Sequence, residues 1–384
     1  MVRSAAAAAG LAALAAAVAG CGGGTGGAAS AAAPRSDAQA VSASSAGHPT
    51  PIRSAPAAPT AVRFTVIASG DFLIHQPVWD RALSLGGGRR YDFAPLFRAV
   101  RPIVEAADLA ICHVETPLQR GAPQGYPVFR TPPDLARAIK STGWDVCSTA
   151  SNHTLDLGQG GIDSTVRTLD HAGLRHAGSY RSAAAHLRPT IVTVRGVKVA
   201  FLSYTQVSNG QIAPHPWSVN VAEAGRILAE ARRARRRGAQ VVIVGIHWGD
   251  EYVARPSPAQ RALARRLTAS KTIDAIVGQH VHVVQPIRWV HHKPVVYGEG
   301  NLVSNQDAAC CPVATQDGII ARLTFEVRGA RVRVTHVRAI PTWVRHPDYL
   351  VLPVRRALRY DRADRAALLA SLRRTRAVVG RYAR

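Results

Sequence analysis

Apolar and polar positions alternate along the chain with two different periods, which together predict a mixed α/β domain after residue 60. Short runs of aliphatic and β-branched residues are typical of buried strands. Such runs cover residues 63–68, 108–112, 145–148, 191–194, 198–204, 241–246, 273–277 and 294–297, and an alternating stretch covers 319–334. Apolar positions at helical spacing predict helices over residues 134–141, 162–172, 221–237 and 258–269.

A turn-like sequence at residues 195–197 separates two of these apolar runs and predicts a β-hairpin. Strands that alternate with helices favour α/β layers, whereas a hairpin brings antiparallel strands into a sheet. We therefore expect sheets of mixed direction and not a purely parallel, doubly wound sheet.

The N-terminus has the pattern of an export signal. Residues 1–4 carry one Arg, residues 5–19 are apolar, and the segment ends in the sequence VAGC at Cys21. A helix of the 15 apolar residues would span about 22 Å, short of the roughly 30 Å hydrocarbon core. Small residues before a cysteine resemble a bacterial lipobox, so residues 1–20 are predicted to be a lipoprotein signal peptide and Cys21 the lipidated residue. Ordinary secretion with a chance cysteine is the alternative.

Composition divides the rest of the chain into three parts. Residues 21–60 are rich in Ala, Gly, Pro and Ser and are predicted to form a disordered tether. Residues 61–345 carry the strand and helix pattern and are predicted to be the folded domain. Residues 346–384 are predicted to be an Arg-rich, helical C-terminal extension. Its apolar stripe indicates a helix packed on the domain, while a membrane-surface helix and a polymer-binding segment are the alternatives.

The net charge is +24, and 44 of the 48 Lys and Arg residues are Arg. This composition is typical of a GC-rich coding bias or of a protein with a polyanionic partner. The export signal argues against nucleic acid as that partner. A hydrophobic content of 47% excludes a wholly disordered chain. No apolar run beyond the N-terminus reaches about 18 residues, which excludes a polytopic membrane protein.

Four cysteines follow Cys21 in the sequence. Export to an oxidising compartment permits disulfides. Cys310 and Cys311 are adjacent, and a bridge between neighbours is strained and uncommon. Cys112 and Cys147 each lie within a predicted buried strand, so we expect both to serve as small buried hydrophobic residues.

Metal-capable side chains follow five of the predicted strands. They are Asp71, Glu115, Asn152 with His153, His247, and His280 with His282. Sites in α/β folds form outside the carboxyl ends of strands, so we expect these side chains to meet at one edge. Carboxylate, amide and imidazole groups together suit Mn²⁺, Fe²⁺ or Zn²⁺, whereas Ca²⁺ prefers oxygen alone and structural zinc sites use thiolates. A single strand-end histidine is usually only a polar terminus, but five such strand ends are not explained in that way.

Six segments carry a resemblance to a known family. They are GD at 70–71, VETP at 114–117, SNHTLDLG at 151–158, HWGDEY at 247–252, GQHVHVVQP at 278–286 and YGEGNL at 297–302. In this order and spacing, residues 62–345 resemble the CapA family of capsule-synthesis proteins, whose domain is similar to the calcineurin-like metallophosphoesterases. The resemblance implies a four-layer α/β/β/α metallophosphoesterase-like sandwich.

The resemblance also implies two divalent metal ions, Mn, Fe or Zn, bound at the strand ends. The implied ligands are Asp71 and His282 for one ion, Asn152, His247 and His280 for the other, and Glu115 for both. Two such ions can activate water for attack on a phosphoryl group.

Further residues receive roles from the same resemblance. His153 would act on the substrate, where an imidazole can stabilise charge or protonate a leaving group. Asp156 would orient His153 or, alternatively, belong to a helix N-terminal turn. Asp250 and Glu251 follow a ligand directly and would be outer partners of the metal ligands.

The chain departs from the pattern of these families in three places. His113 stands where the CapA family usually has Asn, and Glu299 where it more often has Leu. Leu73 replaces the histidine of the D-x-H motif with which the phosphoesterases begin. His75 is a candidate replacement for that histidine, with a surface role as the alternative. These departures bear on the number of metal ions.

Together these observations predict a lipid-anchored protein on the extracytoplasmic face of the cell membrane. We expect a metal-dependent hydrolase acting in the synthesis of an envelope or capsule polymer such as poly-γ-glutamate. The alternative is a non-catalytic accessory protein that binds or exports an anionic capsule polymer. In either case the expected partners are that polymer and the membrane, and not nucleic acid.

Overall fold

A computed structural model of the chain describes residues 60–383. The predicted signal peptide, Cys21 and the predicted tether up to residue 59 lie outside the described residues. The described part contains these strands: β1 (Val62–Phe72), β2 (Leu109–Val114), β3 (Val146–Ser148), β4 (Arg175–Ala177), β5 (Thr190–Val194), β6 (Val197–Thr205), β7 (Val241–Trp248), β8 (Ala275–His280), β9 (Ile287–Val290), β10 (Lys293–Val296), β11 (Asn301–Val303), β12 (Asp317–Arg328), β13 (Arg331–Arg345) and β14 (Leu350–Pro353). It contains these α-helices: α1 (Gln76–Leu85), α2 (Ala94–Phe97), α3 (Arg101–Glu105), α4 (Asp134–Thr142), α5 (Gly158–His171), α6 (Ala183–His186), α7 (Ala224–Arg236), α8 (Pro258–Thr268), α9 (Val354–Ala357) and α10 (Arg365–Val379).

The strands form two sheets of mixed direction, which confirms the expectation from the hairpin. The first sheet has the order β14-β13-β12-β1-β2-β3-β4, and β11 also pairs with β1. Within it β1, β2, β3 and β4 are parallel to one another. The pairs β1–β12, β12–β13 and β13–β14 are antiparallel. The second sheet has the order β5-β6-β7-β8-β10-β9, with β6, β7, β8 and β10 parallel.

The two sheets pack face to face, and helices cover both outer faces. Phe64 of β1 and Phe201 of β6 belong to one apolar cluster that fills the space between the sheets. Helices α1, α2 and α4 bury Trp79 and other apolar residues on the first sheet, and α7 and α8 bury Ile227 and Leu267 on the second. The four-layer α/β/β/α sandwich implied by the resemblance is therefore confirmed.

Local sequence explains the element bounds. Every residue of β7 is buried, as expected for a parallel strand covered on both faces. Helix α8 begins with a capping box, in which Ser257 and Gln260 each satisfy the other's backbone N–H. Helix α7 begins three residues later than predicted, because Val221 pairs with Thr205 beside the second sheet.

The expectation that Cys112 and Cys147 serve only as buried hydrophobic residues is wrong, because they form a disulfide. β2 and β3 are neighbouring parallel strands, and their register places the two cysteines opposite each other with Cα atoms 4.5 Å apart. The sequence alone does not give this register. Cys310 and Cys311 are free thiols, in agreement with the expectation for adjacent cysteines.

The domain boundary predicted at residue 345 also needs correction. Strand β14 pairs antiparallel with the end of β13, so the first sheet continues past that boundary. Helix α10 then buries Leu368 in an apolar cluster, and Arg374 forms two hydrogen bonds with the carboxylate of Asp317 in β12. Residues 346–383 thus belong to the folded domain, with their longest helix packed on it.

Candidate metal centre

The candidate side chains of both sheets meet where the parallel strands end. Asp71 and Glu115 come from the ends of β1 and β2 in the first sheet, and His247 and His280 from β7 and β8 in the second. The side chains predicted to form the site are all buried, with at most 6% of each residue exposed: Asp71, Glu115, Asn152, His153, His247, His280 and His282. The structure therefore brings these seven residues into one interior cluster.

The position of Asp71 depends on the glycine before it. β1 runs parallel to β11 at this point, and the Asp71 N–H donates to the carbonyl of Gly300 at 3.0 Å. A Cβ atom at Gly70 would lie 1.7 Å from that same carbonyl oxygen. Only glycine therefore permits this close approach of the two strands, which turns the Asp71 carboxylate toward the cluster.

His282 lies between the two carboxylates of the cluster. Its Nδ1 is 3.1 Å from Oδ2 of Asp71 and 3.0 Å from Oδ1 of Asn301, and its Nε2 is 3.8 Å from Oε1 of Glu115. Burial alone would lower the pKa of His282, but Glu115 and Asp71 outweigh it and raise the pKa to about 9. Burial and the charge of Asp71 in turn raise the pKa of Glu115. The two carboxylates thus create a negative potential that favours a cation.

His113 and His247 stack in the interior beside Asp71. Their ring centroids are 4.8 Å apart, and Nε2 of His113 is 3.7 Å from Oδ1 of Asp71. Burial lowers the pKa of His113 to about 4 and lowers that of His247 well below the usual value. Both imidazoles are consequently neutral at pH 7, which is the form that coordinates metals.

Asn152 and His153 are neighbours whose side chains have different partners. Oδ1 of Asn152 accepts a hydrogen bond from Nε2 of His247 at 2.8 Å. Nδ1 of His153 instead contacts Oδ2 of Asp156 at 2.8 Å, and its ring meets Phe129 edge-on at 4.6 Å. The same carboxylate oxygen of Asp156 accepts from the N–H of Phe129 at 2.8 Å. Of the two alternatives for Asp156, these contacts favour the one in which it orients His153.

His280 and His282 do not lie on one extended strand, although a spacing of two residues would put both on one face of such a strand. β8 ends at His280, and both residues have positive φ angles, 94° for His280 and 57° for His282. The chain therefore turns at this point instead of continuing with period 2. Both rings remain buried, with centroids 6.1 Å apart. Positive φ is strained for residues other than glycine and is concentrated at functional sites.

Asp250 and Glu251, the two acidic residues that follow His247, differ in their position relative to the cluster. The side chain of Asp250 is exposed and belongs to none of the three ligand sets found among the described residues. Glu251 is also exposed, yet one of its carboxylate oxygens lies within 4.8 Å of a ring nitrogen of both His280 and His282. This distance suits a candidate ligand as well as the outer partner that the resemblance implies.

The residues present fit divalent metal ions. Three sets of side chains have ligand atoms within 4.8 Å of one another: Asp71, His113 and His247; Asp71, Glu115 and His282; Glu251, His280 and His282. Several buried atoms of these sets have no hydrogen-bond partner among the described residues: Oδ1 of Asp71, both oxygens of Glu115, both ring nitrogens of His113, and Nδ1 of His247 and of His280. Buried polar atoms are normally satisfied, so an interior cluster of unsatisfied ones indicates a bound ligand.

Sequence reasoning did not place His113 or Asn301 in the site. His113 stands two residues before Glu115 at the end of β2, and this spacing was a usable signal because period 2 puts both on one side of a strand. Asn301 begins β11 and supports His282 through its amide oxygen, a contact that depends on the fold. Glu299 is fully buried and accepts a hydrogen bond from Gln279 at 2.9 Å, outside the three ligand sets.

Comparison with known proteins identifies relatives of this chain. The sequence profile of the family described as "Bacterial capsule synthesis protein PGA_cap" matches residues 65–306, which is more than half of the chain. The chain is 29% identical over 228 residues to "Capsule biosynthesis protein CapA" of Bacillus anthracis, covering 56% of this chain and 55% of that protein. It is 30% identical over 217 residues to "PGA biosynthesis protein CapA" of Bacillus subtilis (strain 168), covering 55% and 57%. The match spans about half the length of each of these curated relatives.

Among solved structures, the chain is similar to the calcineurin-like phosphoesterase YfkN from Bacillus subtilis. That similarity has a TM-score of 0.47 at 15% sequence identity and covers 73% of this chain and 91% of that one. The 5'-nucleotidase precursor from Thermus thermophilus gives a TM-score of 0.45 at 15% identity, covering 82% and 59%. Within residues 60–383, no helix combines the length and apolarity needed to cross a membrane. The profile match over residues 65–306 and the two Bacillus relatives show that the chain belongs to the CapA family of bacterial capsule synthesis proteins.

Proposed function

We propose that this protein is a divalent-metal-dependent hydrolase of the metallophosphoesterase type. The observation that supports it is the buried cluster of two carboxylates and four imidazoles, whose unpaired ligand atoms converge where the strands end. When bound, divalent cations supply Lewis acidity toward a phosphoryl oxygen and lower the pKa of water. The metal-holding residues would be Asp71, Glu115, Asn152, His247, His280 and His282.

His153 is the proposed acid of the reaction. The Asp156 carboxylate binds Nδ1 of His153 and is itself fixed by the backbone N–H of Phe129. This contact holds the imidazole in one orientation and leaves Nε2 to meet a substrate oxygen. An acid at that nitrogen would donate a proton to the leaving group, a step that typically contributes about 10²–10⁴-fold in rate.

The proposed setting is the extracytoplasmic face of the cell membrane. The lipobox at Cys21 supports a lipid anchor, and the tether up to residue 60 would separate the domain from the bilayer. Family membership supports a role in capsule polymer synthesis, as the names of the two Bacillus relatives describe for those proteins. We therefore propose poly-γ-glutamate, or an intermediate of its synthesis, as the polymer concerned.

A panel of substrates tests the proposed reaction. Metal-loaded protein is assayed with a phosphomonoester, a phosphodiester and poly-γ-glutamate, each beside a Glu115→Gln variant. Hydrolysis of either phosphoester by the wild type, and at least about tenfold less by the variant, supports the phosphoesterase proposal. Cleavage of poly-γ-glutamate alone would instead assign the reaction to the γ-amide bond. No hydrolysis of any of the three by metal-loaded protein would contradict the proposal.

A specific observation favours polyanion binding as a second candidate function. Arg120, Arg137 and Arg167 line a groove of about 910 Å³ beside helices α4 and α5, on a chain of net charge +24. Arg137 pairs with Asp134, whereas Arg120 forms no ion pair within residues 60–383. Binding of poly-γ-glutamate that weakens steeply with salt and is lost in Arg120→Ala would support an accessory role. Protein that takes up no divalent metal when it is offered, yet binds the polymer, would favour that role over the enzyme.

A further inference from the structure

We propose that His113 is a metal ligand in this protein and supplies the imidazole that position 73 lacks. In this arrangement His113 and Asp71 bind the same cation, with His247 as the adjacent donor. The inference rests on the proposed metal dependence and adds a ligand that the resemblance did not assign. The family usually has Asn at this position, so the ligand would be a property of this chain.

The first observation is that the His113 ring is buried and lacks hydrogen-bond partners. His113 is fully buried at the end of β2, and neither ring nitrogen has a hydrogen-bond partner in the part of the chain that the structure describes. A buried imidazole normally satisfies at least one nitrogen, because an unpaired polar group in the interior costs about 1–3 kcal/mol. A bound cation would satisfy one nitrogen of this ring.

The surroundings of the ring carry the second step. Nε2 of His113 is 3.7 Å from Oδ1 of Asp71, and that carboxylate oxygen also lacks a hydrogen-bond partner within residues 60–383. The His247 ring stacks on His113 with ring centroids 4.8 Å apart, and its Nδ1 also lacks a hydrogen-bond partner within residues 60–383. One nitrogen of each histidine and one oxygen of Asp71 lie within 4.8 Å of one another. A cation placed among the three would satisfy them together.

The competing candidate, His75, is occupied elsewhere. Its Nδ1 accepts a hydrogen bond from the N–H of Asn305 at 3.3 Å, and its ring contacts Phe129 edge-on at 5.4 Å. It belongs to none of the three sets of ligand atoms found among the described residues. Leu73 itself is 2% exposed and packs in the interior. Of His75 and His113, His113 is therefore the one with both ring nitrogens unpaired among the described residues.

Two donor sets share Asp71, and they differ in the metal that they would prefer. Asp71, His113 and His247 offer one carboxylate and two imidazoles, a combination that suits Zn²⁺ or Fe²⁺. Asp71, Glu115 and His282 offer two carboxylates and one imidazole, a harder set that suits Mn²⁺ better. Replacing His113 by the family's Asn would exchange a nitrogen donor for oxygen and shift the first set toward Mn²⁺.

Metal binding by the full chain tests the inference without reference to activity. His113→Ala and His113→Asn are compared with wild type and with His75→Ala, the matched control, by elemental analysis and by titration with Zn²⁺. Loss of an outer partner alone weakens metal affinity about 10–100-fold, so loss of a ligand should weaken Zn²⁺ binding at one site by at least about tenfold. His75→Ala should bind Zn²⁺ like the wild type. Unchanged zinc affinity and content in His113→Ala would overturn the inference.

A measurement on the wild type decides the matter even if the variants do not fold. In a crystal of Zn²⁺-loaded protein, anomalous scattering locates the ions directly. A zinc peak about 2.0–2.1 Å from a ring nitrogen of His113 supports the assignment. Zinc bound elsewhere in the cluster, with His113 uncoordinated, would overturn it. Wild-type protein that binds no divalent metal would overturn the proposed function as well, whereas metal-loaded but inactive protein would contradict the proposed function alone.

Discussion

At the scale of residues, the interior cluster contains ionisable groups whose charged forms are disfavoured by burial. Taking a carboxylate or an imidazolium out of water costs several kcal/mol after relaxation. The pKa of Glu115 is raised mainly by burial, and that of His280 is lowered to about 3 for the same reason. A cation at this site would favour the charged form of Glu115 and so offset the rise of its pKa. It would also bind the neutral imidazole that the low pKa of His280 produces. The cluster is therefore better explained by metal binding than by the stability of the metal-free fold.

The different contacts of Asn152 and His153 lead to a prediction about catalysis. Asn152→Ala should lose both metal affinity and activity, because its amide oxygen faces His247. His153→Ala should keep its metal and lose about 10²–10⁴-fold in kcat, because its ring is held by Asp156 instead. Metal content and kcat are measured for both variants with an active phosphoester. Equal metal loss in the two would mean that His153 is a ligand, and full activity in His153→Ala would remove it from the reaction.

The buried histidines predict how the stability of the metal-free protein depends on pH. Burial lowers the pKa of His75 and His113 to about 4, below the ordinary value near 6.5. At these two positions the unfolded chain therefore binds more protons between about pH 6.5 and 4, so their contribution to stability should fall as the pH falls through that window. His282, with a pKa of about 9 set by Glu115 and Asp71 against burial, should lose its contribution as the pH rises from about 6.5 to 9.

Urea unfolding of chelated protein between pH 4 and 9 checks this dependence. The contribution of these three histidines to the free energy of unfolding should be greatest near pH 6.5. His113→Asn should flatten the low-pH limb, because it removes one of the two histidines whose pKa is lowered by burial. A curve that keeps rising above pH 7, or a low-pH limb unchanged in His113→Asn, would contradict the assignment.

At the scale of elements, the sequence was most informative where an apolar run ends in a polar residue. The runs that became β1, β7 and β8 are each followed or ended by Asp71, His247 or His280, and parallel strands bring such ends together. The convergence of these three side chains can therefore be predicted from the sequence. The turn at His280 could not, because positive φ at a histidine is set by the surrounding fold and has no pattern in the sequence.

The sequence likewise does not predict which distant segments pair with each other. β14 is four residues long, and nothing in its composition indicates that it extends the first sheet. The contact of Cys112 with Cys147 depends on the register of β2 against β3, which a one-residue slip would abolish. His113 was set aside as a departure from the family's pattern, although its place beside Asp71 follows from the same parallel pairing.

The disulfide gives a prediction about the stability of the first sheet. Cys112 and Cys147 are 35 residues apart, and closing a loop of that length is worth about 3–4 kcal/mol in the chain-entropy treatment. Cys112→Ala/Cys147→Ala should lower the free energy of unfolding by roughly this amount. Cys310→Ala/Cys311→Ala removes two free thiols and should change it little. Equal stability of the two double variants under oxidising conditions would contradict a structural disulfide.

At the scale of the whole molecule, the packing of the C-terminal helix argues against the alternative that this helix lies on a membrane surface. α10 buries Leu368 and is fixed to β12 by the ion pair of Arg374 with Asp317. Its apolar face is thus already used inside the domain. The proposed anchor is Cys21, which lies outside the described residues.

Fractionation of cells tests that anchor. Cys21→Ser should move the protein from the membrane fraction to the soluble fraction, because two or more acyl chains bind a bilayer stably and none remain in the variant. Cys310→Ser, a matched change at a thiol within the domain, should leave the protein with the membrane. Membrane attachment of Cys21→Ser, undiminished in high salt, would show that another segment anchors the chain.

The central claim is that the buried cluster holds divalent metal ions used for hydrolysis, and one measurement tests it most directly. Purified wild-type protein is loaded with Mn²⁺, Fe²⁺ or Zn²⁺, and its bound metal and its rate of phosphodiester hydrolysis are determined on the same sample before and after chelation. We predict about two ions per chain, with hydrolysis that disappears on chelation and returns when metal is restored. A folded protein that takes up none of the three metals, or whose hydrolysis is unaffected by removing them, would contradict the account.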